Sequence, residues 1–510
     1  MSTQAGPIDE LVQYKKAVLH DNRRDTHIRS DAQATLDFIS NRKSTFFNNS
    51  DSRPAIHSRQ PSVNSLVPVH MAYNQPVSIS RPMMVSYEQP FSYNEDDNTN
   101  SFKLGKEKDI EVTAHAAPVH GHGAADHHHN PFGPVDPNLS WKGRLNHFTW
   151  ANYTITMSTG GTAFVLSVIP HRFDGLTTLG TIMFVYNIGL FLIISSLITA
   201  RFIIYPGTLK KSLSNPHEGF FFATMWLSFA TMITNTTAYG VPNSGPWLIE
   251  ALWVVFWVYT VCVTIMAIFY YHVLFTVHAL VITNVLPGWI LPIFPAMLVG
   301  TLASAIAKFQ PAHRALPMVV TGLSFQGLGM MLAFMIYALY FGRMLTSGLP
   351  ADASRPAMFI AVGPPAFTSL ALIGMAQDVV VTKIFPNYIK LDGITDQSLI
   401  PDFFQLLALV IAISLWVFSF WAFGIAVVAS IEAIGRNDFH LNWYAYIFPN
   451  VGFCIATIQI GNRLNSTAIK TVGTAMGGSL FFLLLVVYFC HAKAVMNKMI
   501  VWPGKDEDAH

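Results

Sequence analysis

Charge is scarce in this chain. Asp, Glu, Lys and Arg make up 12% of its 510 residues, against 52% hydrophobic residues. An ordinary soluble domain carries about twice that charged share, so a soluble globular class is excluded for the chain as a whole. No basic cluster of the kind nucleic-acid binders carry is present, and the net charge of +2 points to no partner, so nucleic acid is set aside. Cysteine is nearly absent. Cys262, Cys454 and Cys490 each lie inside an apolar stretch, form neither disulfide nor metal spacing, and read as small buried hydrophobes. The opening MSTQAGPIDE has no basic start and no apolar run. No cleaved signal peptide is expected, and the first apolar segment should direct its own insertion. Also missing are paired carboxylates, a metal cluster or a nucleophile with its base at membrane depth, so neither enzyme, metal nor cofactor is expected.

What the chain has in excess is apolar length. Mean hydropathy is +0.39 although residues 1–143 are rich in Ser, Asn, Asp, Gln and Pro. That first region is too polar to offset its ordering entropy and is read as a disordered tail. Within it His115, His120, His122, His127, His128 and His129 form a histidine-rich tract. Imidazoles suit metals, but the tract reads first as a solvated low-complexity segment. Residues 144–497 hold ten apolar runs, at about 147–169, 177–205, 219–240, 247–275, 287–308, 316–342, 356–376, 402–431, 441–461 and 467–495. Each is long enough for a membrane-spanning helix and far too long for a barrel strand. Residues 498–510 form a short polar C-terminal tail. With both termini on the cytoplasmic side, ten Lys and Arg flank the spans inside and seven flank them outside, a bias of the expected sign.

The odd runs differ from the even ones. Ser158, Thr159, Gly160 and Gly161 interrupt the first, and Pro292, Pro295 and Gly300 the fifth. Gly363, Pro364 and Pro365 interrupt the seventh, and Pro449 and Gly452 the ninth. The third opens on Asn215-Pro216-His217-Glu218 and carries Thr224, Ser228, Thr231 and Thr234. Even runs are uniformly apolar, as in FFLLLVVYFC at 481–490. Proline frees a backbone carbonyl, and in a membrane such groups survive only where protein or water covers them. The odd helices are therefore expected inside, around a central pore, with the even helices outside them. The pore-lining candidates are Ser158, Thr159, Gly160, Gly161, Thr224, Phe294, Pro295, Pro364, Pro365, Thr368 and Pro449. Ile-Phe-Pro recurs at 293–295 and 447–449, and also at 384–386.

A proton pump or cation channel marks its path with a buried carboxylate. None is expected here, since Glu250 and Glu432 stand at run ends. A path lined by Thr, Ser and Gly, with helix N-termini facing it, suits anions instead. Arg172, Arg201, Arg314, Arg355 and Arg463 at the mouths would concentrate them, although each also reads as an interfacial anchor.

HFTWANYTITMSTGG at 147–161, NPHEGFFFATMWLSF at 215–229, RPAMFIAVGPPAFTSLAL at 355–372 and NWYAYIFPNVGFCIATIQIGN at 442–462 carry a resemblance. Over about residues 141–495 the chain resembles the tellurite-resistance/dicarboxylate transporter family, which includes fungal malic acid permeases, fungal sulfite pumps and plant slow anion channels. The malic acid permease branch is the most similar. The resemblance implies an all-α integral membrane fold, ten transmembrane helices in five hairpins around a central pore, assembled as a homotrimer. It implies a phenylalanine gate on the ninth helix, at Phe448. It also implies malate or another C4-dicarboxylate as substrate, moved across the plasma membrane. Arg355 is the first candidate for a carboxylate partner, since its fork suits bidentate binding. His217 is the second, since an ordinary imidazole changes charge near physiological pH. A sulfite efflux pump, a gated small-anion channel, or a receptor or scaffold working through its N-terminal tail are the other expectations to be separated.

Overall fold

A computed structural model describes residues 139–277, 280–384, 392–393 and 396–502. The histidine tract, the tail up to residue 138 and positions 385 and 386 of the third Ile-Phe-Pro lie outside the described residues. Among those described there is no strand. A short helix, Trp141–Asn146, begins inside the segment expected to be tail, and the Ser140 side chain caps it by accepting from Gly143 N.

Each apolar run holds one main helix: α1 Tyr153–Val168, α2 Leu176–Ile204, α3 Phe222–Asn235, α4 Pro246–Val277, α5 Phe294–Ile306, α6 Ala312–Ser347, α7 Gly363–Val381, α8 Ile400–Glu432, α9 Phe448–Arg463 and α10 Thr467–Met496. Among the described residues six segments are long and apolar enough to cross a membrane: α2, α4, α6, α10, α8 with its preceding turn, and α7 with the 3-10 helix before it. The other helices, α1, α3, α5 and α9, are only 13 to 16 residues long.

Burial separates two sets. In its most apolar stretch α2 is 17% buried, whereas the segment ending in α7 is 89% buried. Most residues of α1, α5, α7 and α9 are buried, while α8 and α10 expose large apolar side chains such as Phe403, Phe420, Phe482 and Phe489. The helices hidden within the protein are those that carry breakers and hydroxyls, and the uniformly apolar ones form the exposed face. Contacts among the buried set close on themselves: α1 packs on α3, α3 on α5, α5 on α7, α7 on α9, and α9 on α1. Around them α2 packs on α1, α6 on α5, α8 on α7 and α10 on α9. Helix α4 lies against α5, and a groove of about 390 Å³ stays open between α2, α3 and α4, walled by side chains such as Phe191, Phe229 and Leu252.

Proline does not kink these helices midway. Pro295, Pro364 and Pro449 stand in the first turn of α5, α7 and α9, where a missing N–H costs nothing. The interruption lies just before them. Leu441–Tyr446 and Asp352–Val362 are 3-10 helices leading into α9 and α7, and Pro287–Ile290 stands ahead of α5. Side chains satisfy the carbonyls near these breaks. Tyr259 donates to Pro295 O (3.0 Å), Tyr337 to Ala361 O (2.8 Å) and Ser158 to Tyr444 O (3.2 Å). Buried breaks are tolerable in lipid only on that condition.

Candidate functional site

Phe294 and Phe448 are the first residues of α5 and α9, so the two Ile-Phe-Pro segments put a ring at the same place in each helix. The rings meet, with centroids 6.0 Å apart, and Phe367 of α7 completes a triad at 5.5 Å from Phe294 and 5.2 Å from Phe448. Phe448 and Phe294 are each 1% exposed. Glycine makes the room. A Cβ on Gly363 would stand 2.9 Å from Phe294 Cζ, one on Gly452 2.6 Å from Phe367 Cδ2, and one on Gly161 3.3 Å from Phe448 Cδ2.

Against this triad lies a cavity of about 20 Å³, enough for about one water. All five buried helices line it: Gly161 and Phe164 from α1, Thr231 and Thr234 from α3, Leu298 and Thr301 from α5. Phe367 and Leu370 of α7 and Phe448, Val451 and Ile455 of α9 complete it. The spacings 294, 298, 301 and 448, 451, 455 are the i, i+3 or i+4, i+7 face of a helix, counted from each phenylalanine. That count is the signal by which Thr301, Val451 and Ile455 were findable from sequence. Phe367 and Leu370 had no such marker.

The other candidates fall around this axis. Ser158 is turned to the Tyr444 carbonyl and Thr159 to the Tyr488 hydroxyl of α10. Thr224 donates to Phe221 O, 2.6 Å away, and to Trp150 O. Thr368 donates to Pro364 O and accepts from Gln326 Nε2 of α6 at 2.8 Å. Pro295, Pro364, Pro365 and Pro449 are buried in the first turns. Gly160 lies at the contact of α1 with α3 and α2, where an added Cβ would stand 2.9 Å from Thr231 Cβ and 2.7 Å from Asn187 Nδ2. Asn187 is wholly buried. Gly160→Ala should therefore cost about 1–3 kcal/mol by overpacking. It should lower the thermal midpoint of detergent-purified protein, and an unchanged midpoint would show that the contact gives way freely.

Arg355 and His217 belong to one end of the bundle. The lead-in of α7 packs on that of α9, which packs on the turn Trp150–Asn152 before α1; that turn meets Pro216–Gly219 before α3, and Pro287–Ile290 meets the lead-in of α7. The lead-ins to the buried helices thus gather together. Arg355 is held there by Asp352 Oδ1 (2.9 Å) and Glu432 Oε2 (3.4 Å), and donates to Ala429 O (2.8 Å). His217 is exposed, and its backbone N–H caps onto Asn215 Oδ1.

Two expectations about charge change. The mouth arginines are largely engaged: Arg201 pairs with buried Glu218, and Arg314 with Glu250 at 2.5 Å. Arg172 donates to the Leu166 and Ser167 carbonyls and Thr177, and Arg463 to Gln405 Oε1 at 3.0 Å. The expectation that no carboxylate is buried at membrane depth is corrected by Asp378. The seventh apolar run ends at 376, but α7 continues to Val381 and carries Asp378 inward, 2% exposed, within electrostatic range of Lys308 and Arg463.

Sequence comparison adds its own findings. Residues 147–492 match the family SLAC1, described as voltage-dependent anion channel. The chain is similar to two proteins of Schizosaccharomyces pombe named for malic acid transport. One is 36% identical over 372 residues, 73% of this chain and 85% of that protein. The other is 34% identical over 377 residues, 73% and 84%. A sulfite efflux pump of Trichophyton rubrum is 25% identical over 331 residues, 65% of this chain and 86% of that protein.

Proposed function

Because the chain belongs to the SLAC1 family of voltage-dependent anion channels, we propose that it carries C4-dicarboxylates such as malate through the axis shared by its five buried helices. The observation that carries this reading is the cavity that all five helices line, closed on the side of Phe448 by a cluster of three contacting rings. A ring of helices with no charged side chain on the cavity wall suits an anion, since their lead-ins gather at one end, where they present the positive ends of their dipoles. The 34–36% identity to the two malic acid transport proteins of S. pombe favours a dicarboxylate over other anions.

On this reading all ten helices span, as five hairpins with the odd ones inside. A short buried helix such as α9 reaches far enough with its lead-in. Helix α9, at about 1.5 Å per residue, gives roughly 24 Å. The 3-10 lead-in at about 2 Å per residue adds roughly 12 Å, which together exceeds the ~30 Å hydrocarbon thickness. Both termini lie in the cytoplasm, the protein works in the plasma membrane, and three copies assemble with one pore each. Phe448 is the gate. Arg355 and His217 stand where the helix N-termini gather, and the anion first meets the protein there. Glu432, the looser of the two carboxylates on Arg355, is the one a substrate carboxylate exchanges with.

The test is a panel of malate, succinate, sulfite and chloride on purified full-length protein in liposomes. Saturable malate flux, inhibited by succinate, is the expected result. Sulfite flux without malate flux would transfer the protein to the activity for which the T. rubrum relative is named, and chloride current alone would make it a small-anion channel.

A further inference from the structure

The threonines that line the cavity are not equivalent. Thr231 donates to Ser228 O at 2.7 Å and Thr234 to Thr231 O at 2.9 Å. This back-donation is what a helical threonine ordinarily does, and Thr154, Thr156, Thr162, Thr260, Thr368 and Thr457 do it too. Thr301 does not. Its Oγ1 is buried with no hydrogen-bond partner, and the residue is 5% exposed on the cavity wall. A buried donor left unmade is costly, and a native protein rarely keeps one without a use.

Resting on the proposed transport path, we infer that Thr301 is a specificity residue whose hydroxyl donates a hydrogen bond to an anionic oxygen of the substrate as it passes Phe448. The ligand chemistry is a carboxylate or another oxyanion. An anion needs a donor, and the two other cavity threonines have already spent theirs on the backbone. Thr301 shares the inward face of α5 with Phe294 and Leu298, two turns beyond the Phe294 ring that meets Phe448 edge-on. Swinging Phe448 aside enlarges the space that Thr301 borders. The open state, not the closed one, is therefore where the hydroxyl meets its partner. The neighbouring apolar walls, Leu298, Leu370 and Ile455, keep water away from that contact and strengthen it.

Thr301→Val keeps the shape and removes the donor, and Thr301→Ser keeps the donor. Each is measured as full-length protein in liposomes, in the native background and together with Phe448→Ala, so that gate opening does not limit the rate. Hydrogen bonds to charged groups are strong enough that Thr301→Val should raise the half-saturating malate concentration about 10-fold. Thr301→Ser should stay near the parent value. An unchanged half-saturation in Thr301→Val overturns the assignment. So does an equal loss of maximal flux in both variants at unchanged half-saturation, which would mark a packing role. If the parent protein carries sulfite or another oxyanion but not malate, the dicarboxylate reading fails, and the same pair of variants decides Thr301 with the anion that is carried.

Discussion

Phe448→Ala is expected to raise malate flux at a fixed gradient by roughly 5- to 150-fold. The ring is 1% exposed and contacts two others, Phe367 stacked at 26° and Phe294 edge-on at 67°. Aromatic pairs of this kind are worth about 0.5–1.5 kcal/mol each beyond area burial, so the two together hold the closed arrangement by about 1–3 kcal/mol. Since 1.4 kcal/mol is about tenfold in a population, their removal should shift occupancy toward the open state by the stated range. Alanine also removes the ring itself from the constriction. Helix α9 should survive, because its start is fixed by Pro449 and by the lead-in Leu441–Tyr446 rather than by the Phe448 side chain. Initial uptake of labelled malate into liposomes, at matched protein content and elution profile, is the measurement. Flux no higher than that of the unsubstituted protein would remove Phe448 from the gate. Phe367→Ala offers a graded control, since it takes one stacking partner from Phe448 but leaves the ring in place.

How much of this was legible in the sequence depends on what a residue does to its own helix. Breakers and hydroxyls at Ser158, Gly161, Pro295, Pro364 and Pro449 announced the buried helices, because lipid forbids uncovered backbone and the uniformly apolar runs had nothing to hide. The repeated Ile-Phe-Pro drew attention to Phe294 and Phe448, which the fold brings into contact. Less legible was where the prolines act. Pro295 and Pro449 begin helices instead of bending them, and only the 3-10 segments ahead of them show it. Asp378 was hidden by a boundary error of five residues at the end of α7, enough to turn a buried carboxylate into a loop residue. Orientation within a helix was harder still. Gly160 and Gly161 are neighbours in sequence, yet one meets Thr231 and Asn187 while the other lies under Phe448. A hydrophobic stripe normally fixes the rotation of a helix, but in α1 every side is apolar or small and nearly every side is buried. Arg201 read as a free mouth charge because its partner, Glu218, is seventeen residues away across a chain reversal.

That pair supports the second large effect. Arg201→Met is expected to destabilise the protein by about 3–5 kcal/mol, because it takes the countercharge away from the buried Glu218 carboxylate. Arg201 and Glu218 are 5% and 6% exposed, and the guanidinium also donates to Phe148 O at 3.2 Å. One arginine thus ties the end of α2 to the lead-ins of both α1 and α3, at the end where the helix N-termini gather. A charge in low dielectric without its partner is far costlier than no charge at all. The double variant Arg201→Met with Glu218→Leu should therefore recover most of what the single one loses, an outcome no surface ion pair would give. Thermal scans of detergent-purified protein at one heating rate, chosen because membrane proteins seldom unfold reversibly, would order the three proteins. The native protein should be highest, the double variant close beneath it, and the single variant lowest by several degrees. A single variant that melts with the native protein would mean that Glu218 finds water or another partner. A double variant no better than the single one would mean that the bond from Arg201 to the Phe148 carbonyl, not the ion pair, holds this end of the bundle together.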